Sequence, residues 1–209
     1  MPTNPSQMHE LLYQALETEQ GGIKVYQAAL ECALNDDLRK EWTEYLRQTR
    51  EHERTLREVL QSLGLDASTE TPGRGVVRHI GESLVAAMTM ARQGGGPPEA
   101  AELVAAECVV LAENKDHMNW ELIGRLALES SGPEAEALKK AYDRVEDQED
   151  QHLYHSKGWA RELWIQALGM PAVLPPPEEV QKVETAIGAA KAEASRETLL
   201  GNTPQTRRR

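Results

Sequence analysis

The sequence contains no phenylalanine, only two cysteines and no run of eighteen apolar residues. Cys32 and Cys108 form no Cys-x-x-Cys pair, which excludes a zinc ribbon or a rubredoxin-type iron site and is typical of reduced thiols in a core. The absence of a long apolar run predicts that no segment spans a membrane. Because the first residues hold neither a basic segment nor an apolar stretch, secretion is disfavoured, and we expect a cytoplasmic protein.

Basic residues are also scarce in this chain. Lys and Arg number 23 against 34 Asp and Glu, which gives a formal net charge of -11. The only dense basic run is Arg207-Arg208-Arg209, which is too short for a broad footprint on a polyanion. The sequence therefore predicts neither a nucleic-acid partner nor a membrane partner.

Patterns typical of β-strands are nearly absent, whereas apolar residues recur at alternating steps of three and four, as on the buried face of a helix. We therefore expect an all-α fold with two antiparallel hairpins of long helices. The first hairpin turns at an N-cap, Asn35, and ends at Gly64. The second begins at Pro97-Pro98, breaks at residues 131–133 and ends at Leu168.

The segment of residues 65–98 is too long for a tight turn. We therefore expect it to form a crossover between the hairpins, with a shorter helix over residues 76–92. Residues 8–168 are thus expected to form one helical bundle. The rest of the chain, residues 169–209, is expected to form a stiff Pro-rich linker and a C-terminal helix over residues 178–199. The last ten residues are expected to form a disordered basic tail.

Acidic and histidine side chains recur on the predicted inner faces of all four long helices. In EDQEDQHLYH, residues 146–155, Glu149 and His152 are three positions apart and project from adjacent turns of one face. Burying such groups costs several kcal/mol unless they are paired, protonated or bound to a cation. The candidate metal ligands are Glu19, His52, Glu113, Glu149 and His152.

This pattern resembles the ferritin-like superfamily over residues 8–168, in particular bacterioferritins and rubrerythrins. Glu19, followed seven residues later by Tyr26, is similar to the first-helix Glu and Tyr of that family. Glu149-x-x-His152 resembles its fourth-helix motif. The resemblance implies a four-helix bundle with a long crossover and a centre built from one Glu on each of two helices and Glu-x-x-His on the other two.

The second helix matches the family only in part. His52 resembles the family's second-helix His, but Thr49 stands where the pattern places a Glu. Glu53 could supply that carboxylate by turning inward, or Glu51 could supply it from a rotated register of the helix. Arg50, Arg54 and Arg57 could instead hold both glutamates on a solvated face.

For the third helix the resemblance favours Glu113, with Trp120 seven residues later where the family often has Tyr, and leaves Glu107 as the rival. Tyr26 and His117 are expected beside the ligands rather than among them.

The resemblance implies one or two iron or manganese ions per chain, ferroxidase or peroxidase-like oxidoreductase activity, and a homo-oligomer, a dimer or larger. The residues themselves indicate only metal binding. The alternative is a metal-free helical interaction or scaffold protein that has lost a complete site at Thr49.

Overall fold

The computed structural model describes residues 4–202, and every regular element in that range is helical. The all-α prediction is therefore confirmed for this part of the chain. The helices are α1 (Pro5–Cys32), α2 (Asp36–Ser62), α3 (Pro72–Gln93), α4 (Pro98–Glu129), α5 (Gly132–Ala167), α6 (Pro177–Val180) and α7 (Ala186–Asn202). Within these residues, none of the helices has both the length and the apolar composition that a bilayer crossing requires.

The helix ends follow the local signals in the sequence. Asn35 caps α2 because its side-chain oxygen accepts hydrogen bonds from the amides of Asp37 (2.9 Å) and Leu38 (3.2 Å). Gly64 and Gly169 follow α2 and α5 with φ of 69° and 76°, a conformation that favours glycine. The expected stop of each hairpin is therefore confirmed.

The four long helices pack in a closed order, in which α1 and α5 each contact both α2 and α4. The crossover helix α3 lies against α1 and α4. Two apolar clusters form the core, one containing Trp42 and Trp159 and the other containing Leu16 and Trp120. On each long helix, the residues of the two clusters are separated by a stretch that contains buried polar side chains. These stretches are residues 17–19 on α1, 49–52 on α2, 113–119 on α4 and 149–156 on α5.

A buried ion-pair cluster fixes the crossover against α1. The carboxylate of Glu17 accepts hydrogen bonds from Arg74 Nε (2.7 Å) and Arg78 Nε (2.8 Å). Arg74 also donates to the carbonyl oxygens of Ala67 (2.7 Å) and Thr69 (2.9 Å), so its guanidinium is well satisfied. Burial opposes the ionisation of Glu17, but hydrogen bonds from Arg78 and Arg74 and their charges outweigh it and lower its pKa.

The C-terminal region differs from the prediction, because the single helix expected over residues 178–199 is interrupted. Helix α6 ends where Lys182 adopts φ of 51° and the amide of Val183 bonds to the carbonyl of Glu178 (3.0 Å). Thr185 then opens α7 by accepting a hydrogen bond from the Gly188 amide (3.0 Å). Because the left-handed position is occupied by a residue other than glycine, this stop has no signal in the sequence.

The Pro-rich segment is packed against α5 rather than extended as a free spacer. Arg161 of α5 binds both oxygens of Glu178 (2.7 and 2.9 Å), and the Val173 amide donates to Glu162 (2.8 Å). Helix α7 continues to Asn202, so the expected disorder is wrong for residues 200–202. The rest of the predicted basic tail lies outside the described residues.

Replacing Glu17 by Gln is expected to destabilise the protein by about 3 kcal/mol, because it leaves the buried guanidinium of Arg74 without its counter-charge. The midpoint of thermal unfolding should fall by roughly 6–12 °C. Because the pKa of Glu17 is lowered on folding, its contribution is present at neutral pH and lost as the pH falls below the ordinary value of 4.5. Calorimetry at pH 7 and pH 4 tests both statements.

The matched control is Glu82→Gln at an exposed position of α3, and an equal effect of the two substitutions would contradict this account.

Candidate metal centre

Six ionisable side chains meet between the two apolar clusters, and each of the four long helices contributes at least one of them. They include all five ligands expected from the sequence, together with one that was not expected. None of the six residues is more than 4% exposed: Glu19, His52, Glu113, Asp116, Glu149 and His152.

Five of the six side chains form two overlapping groups of ligand atoms, and the sixth, Glu113, lies beside them with its Oε2 3.5 Å from His152 Nδ1. In one group, atoms of His52, Glu149 and His152 all lie within 4.8 Å of one another, and in the other the same holds for Glu19, Asp116 and Glu149. Glu149 belongs to both groups, with its Oε1 2.8 Å from His52 Nδ1 and 3.6 Å from His152 Nδ1. Its carboxylate is thus placed to contact two cations at once.

Most of the unpartnered polar atoms in the interior are concentrated in this cluster. Among the described residues, eleven buried side-chain nitrogen and oxygen atoms lack a hydrogen-bond partner, and seven of these belong to the six residues above. Each of the six residues supplies at least one. Two of the seven, His52 Nδ1 and Glu149 Oε1, are 2.8 Å apart and become partners when Glu149 carries a proton. Buried polar groups are normally hydrogen-bonded, so a concentration of this kind in one place is unusual for a protein interior.

The two imidazoles are held so that one nitrogen of each faces the cluster. His52 Nε2 lies 2.7 Å from Gln148 Oε1, and His152 Nε2 lies 2.6 Å from Gln48 Oε1. Because an amide oxygen only accepts, each Nε2 carries the hydrogen, and the lone pair of a neutral ring is on Nδ1. Burial lowers the pKa of His52 to about 4, which keeps that ring neutral. The ring of Tyr45 lies against His152, with their centroids 4.0 Å apart.

Two neighbouring donors hold two of the carboxylates and leave one oxygen of each free. The Tyr26 hydroxyl donates to Glu113 Oε1 (2.7 Å), and the indole of Trp120 donates to Glu19 Oε1 (2.8 Å). The other oxygens of Glu113 and Glu19 have no hydrogen-bond partner. The expected neighbour Tyr26 therefore bonds to the candidate ligand Glu113 on α4. Such neighbours fix the orientation of metal ligands.

The carboxyl groups are crowded enough to retain protons when no cation is bound. Burial, aided by the charge of Glu113, raises the pKa of Glu149 to about 8. Burial and the charges of Asp116 and Glu149 raise the pKa of Glu19 well above its ordinary value. A divalent cation would replace these protons as the counter-charge.

The candidates to replace the missing second-helix carboxylate remain outside the cluster. Thr49 is buried and its hydroxyl donates to the carbonyl of Tyr45 (2.8 Å). Glu51 is bound by Arg47 at the surface, while Glu53 accepts a hydrogen bond from Arg57 (2.6 Å). Glu53 also accepts a hydrogen bond from Gln20 of α1 (3.3 Å), and neither glutamate joins the groups of ligand atoms.

Two further candidates from the sequence also lie away from the centre. Glu107 is exposed and accepts a hydrogen bond from the Trp164 indole (2.8 Å). His117 Nε2 lies 2.7 Å from Asp150 Oδ1, so this histidine is paired with an acid outside the cluster.

Asp116 is the ligand candidate that sequence reasoning missed. It stands three residues after Glu113, the same spacing as Glu149 and His152 on the helix that packs against α4. That repeated spacing was the signal that could have found it, because residues three apart share one helical face. The carboxylate of Asp116 on α4 thus takes the place of the one that is missing from α2, where Thr49 stands.

Because the pKa of Glu149 is raised, we expect the free energy of unfolding of the metal-free protein to fall as the pH rises. A carboxyl group whose pKa is higher in the folded state favours folding below its ordinary value of 4.5, and that advantage is lost as the pH rises toward about 8. Glu149→Gln should therefore raise the midpoint of thermal unfolding of the metal-free protein at pH 8. The rise should be roughly 2–4 °C for each kcal/mol of destabilisation that the substitution removes. The gain should shrink toward pH 5. A midpoint at pH 8 that does not rise would contradict the electrostatic description of the site.

Comparison with known proteins finds no match for this chain among protein-family models, curated proteins or solved structures. No family is therefore assigned to it. What the centre does has to follow from its own donor atoms, their burial and their spacing.

Proposed function

We propose that this chain is a ferritin-like protein that binds two iron or manganese ions between its four long helices and uses them in oxidation–reduction chemistry. The observation that carries the proposal is the convergence of seven unpartnered buried donor atoms from all four helices. A single buried acid can be accommodated without a metal, for example by sharing a proton with a neighbour. Six residues that each direct a free donor atom to one place are explained together by cations.

The donor set agrees in number and type with a centre for two metals. Ferritin-like centres use one Glu from each of two helices and Glu-x-x-His from the other two, which amounts to four carboxylates and two imidazoles. Here the four carboxylates are Glu19, Glu113, Asp116 and Glu149, and the imidazoles are His52 and His152. The departure from that pattern is that α4 supplies two of the carboxylates and α2 supplies none.

Charge and donor chemistry favour the same type of ion. Four ionised carboxylates with neutral imidazoles balance two divalent cations, so the occupied centre is close to neutral in an apolar surrounding. Carboxylate and imidazole donors suit iron and manganese, whereas thiolate donors would favour softer metals. Both cysteines lie in the apolar cluster around Trp42 and Trp159 and not at the centre.

The arrangement of the helices supports the ferritin-like part of the proposal. The helices α1 and α2 form one hairpin, and α4 and α5 form another, with α3 in the connection between them. A long connection between two hairpins is the topology of ferritin-like bundles, whereas an up-down-up-down bundle needs only a short middle loop.

The protein's own part in such chemistry is to fix the ligands and keep the centre dry. The glutamines behind both histidines set the tautomer that presents Nδ1, and Tyr26 and Trp120 orient two carboxylates. A bound pair of redox-active ions would supply open coordination positions and the electrons for reaction with O₂ or peroxide. Ferroxidase and peroxidase-like reactions both belong to this class.

Protein loaded anaerobically with Fe(II) or Mn(II) and freed of excess metal is expected to hold about two ions per chain by elemental analysis. Asp116→Asn should reduce the content to about one, because it removes a carboxylate from only one of the two groups. Glu149→Gln should remove nearly all of the metal, because Glu149 is shared. Glu107→Gln, at the exposed rival position, serves as the matched control and should keep the full content. Parent protein without metal would favour the metal-free interaction protein instead.

Gln148→Leu tests the role of the residues behind the histidines. The substitution removes the acceptor that holds His52 Nε2–H, and such partners typically contribute a factor of about 10–100 in metal affinity. The dissociation constant for Mn(II) should rise by that factor, while the number of ions bound at saturation stays unchanged. Gln61→Leu, at an exposed position of α2, is the control. Equal affinities of the two variants would show that Gln148 does not orient a ligand.

A further inference from the structure

A surface pocket of about 220 Å³ lies between α4 and α5, and the first residue of α7 stands at its rim. Its lining comes from three parts of the chain: α4, α5 and the turn that leads into α7. The pocket is separate from the expected ligand positions on α1 and α2, neither of which lines it.

The inner end of this pocket is the metal centre itself. Glu149 lines the pocket although the residue is only 2% exposed, and its Oε2 has no hydrogen-bond partner. Trp120 lines the pocket beside it, and the indole of Trp120 donates to Glu19. The pocket therefore ends at the residue that both groups of ligand atoms share, and the carboxylate oxygens of Glu149 are buried behind its inner wall.

The walls of the pocket are acidic. Glu121, Glu146 and Asp150 line it, and no Lys or Arg is among the described residues that do so. His117, the only imidazole in the lining, faces Asp150 (2.7 Å) and lies 3.8 Å from Glu121. The hydroxyl of Tyr142 donates to Glu146. A concave surface lined by charges of one sign concentrates ions of the opposite sign.

The dimensions suit a hydrated ion. One water molecule needs about 10–15 Å³ of cavity volume. A cation with six bound water molecules therefore fits in the pocket. A second pocket of about 190 Å³, between α2 and α5, is lined by Lys140, Arg144 and one acid, Glu58, and by none of the six cluster residues. Because two cations outnumber that acid and the pocket does not reach the cluster, it is unsuitable for the same purpose.

We propose that the acidic pocket between α4 and α5 is the access route by which a hydrated divalent cation reaches the buried centre. Glu149 takes the ion from the pocket, and the beginning of α7 partly covers the mouth. This inference rests on the proposed metal-binding function and adds to it the path, the charge of the ligand and the residue that receives it.

Stopped-flow absorbance with Co(II), whose visible spectrum reports coordination, measures uptake by the full-length protein. The pocket variant Glu121→Gln/Glu146→Gln/Asp150→Asn should take up Co(II) about tenfold more slowly at low ionic strength, with the final stoichiometry of the parent. The charge-matched control Glu82→Gln/Glu99→Gln/Glu136→Gln changes exposed acids elsewhere and should keep the parental rate within about twofold. Raising the salt concentration should reduce the difference between the two variants.

A second pair of variants tests the path without altering its charge. Ala186 is exposed and lines the pocket, so Ala186→Trp places a large side chain at the mouth and should slow uptake several-fold. Ala190→Trp makes the same change at an exposed position of α7 that does not line the pocket. It should leave the rate of uptake unchanged.

The outcomes separate this inference from the function on which it rests. Slow uptake with full stoichiometry in the pocket variant and in Ala186→Trp, but not in their controls, supports the access route. Equal rates in each variant and its control overturn it while leaving the metal centre intact. A reduced final stoichiometry in the pocket variant also overturns it, because these acids would then act as ligands. A parent protein that takes up no Co(II) refutes the metal-binding function and the access route together.

Discussion

The constraint on which this structure depends is the cost of burying ionisable groups in an apolar interior. Four carboxyl groups and two imidazoles lie between two apolar clusters, and seven of their atoms have no hydrogen-bond partner. Without a cation the cluster reduces this cost by keeping protons, as the pKa of about 8 for Glu149 indicates. Under the proposed function the same groups are the ligands of cations, so one feature would account for both the electrostatic strain of the interior and the proposed chemistry.

The surrounding helices convert that constraint into a defined geometry. Each long helix carries apolar residues of both clusters, and buried polar residues lie between those two sets on every one of the four helices. The flanking apolar packing keeps the ligands dry, and glutamine, tyrosine and tryptophan side chains satisfy their outer atoms. The buried pair of Glu17 and Arg74 fixes α3 beside the polar stretch of α1. Stability and site formation are therefore coupled through residues that never touch a ligand.

Sequence reasoning predicts the regular part of this fold well and its exceptions poorly. Periodic apolar residues, the Asn35 cap and the stops near Gly64 and Gly169 are local signals, and the structure follows them. The end of α6 uses Lys182 in a left-handed conformation, for which the sequence carries no local signal. Among the proposed ligands, Glu19, His52, Glu113, Glu149 and His152 were predictable from helical faces. Asp116 could also have been found from its spacing of three residues after Glu113. The glutamines behind the histidines, Gln48 and Gln148, were not predictable, because their roles depend on which side chains on other helices they meet.

The central claim is that two cations bind between the helices and share Glu149. The most direct test is anomalous X-ray diffraction from crystals grown with Mn(II), recorded at energies above and below the manganese absorption edge. We expect two anomalous peaks within coordination distance of Glu149, one beside His52 and His152 and the other beside Glu19 and Asp116. The absence of any peak inside the bundle at saturating Mn(II) would contradict this claim.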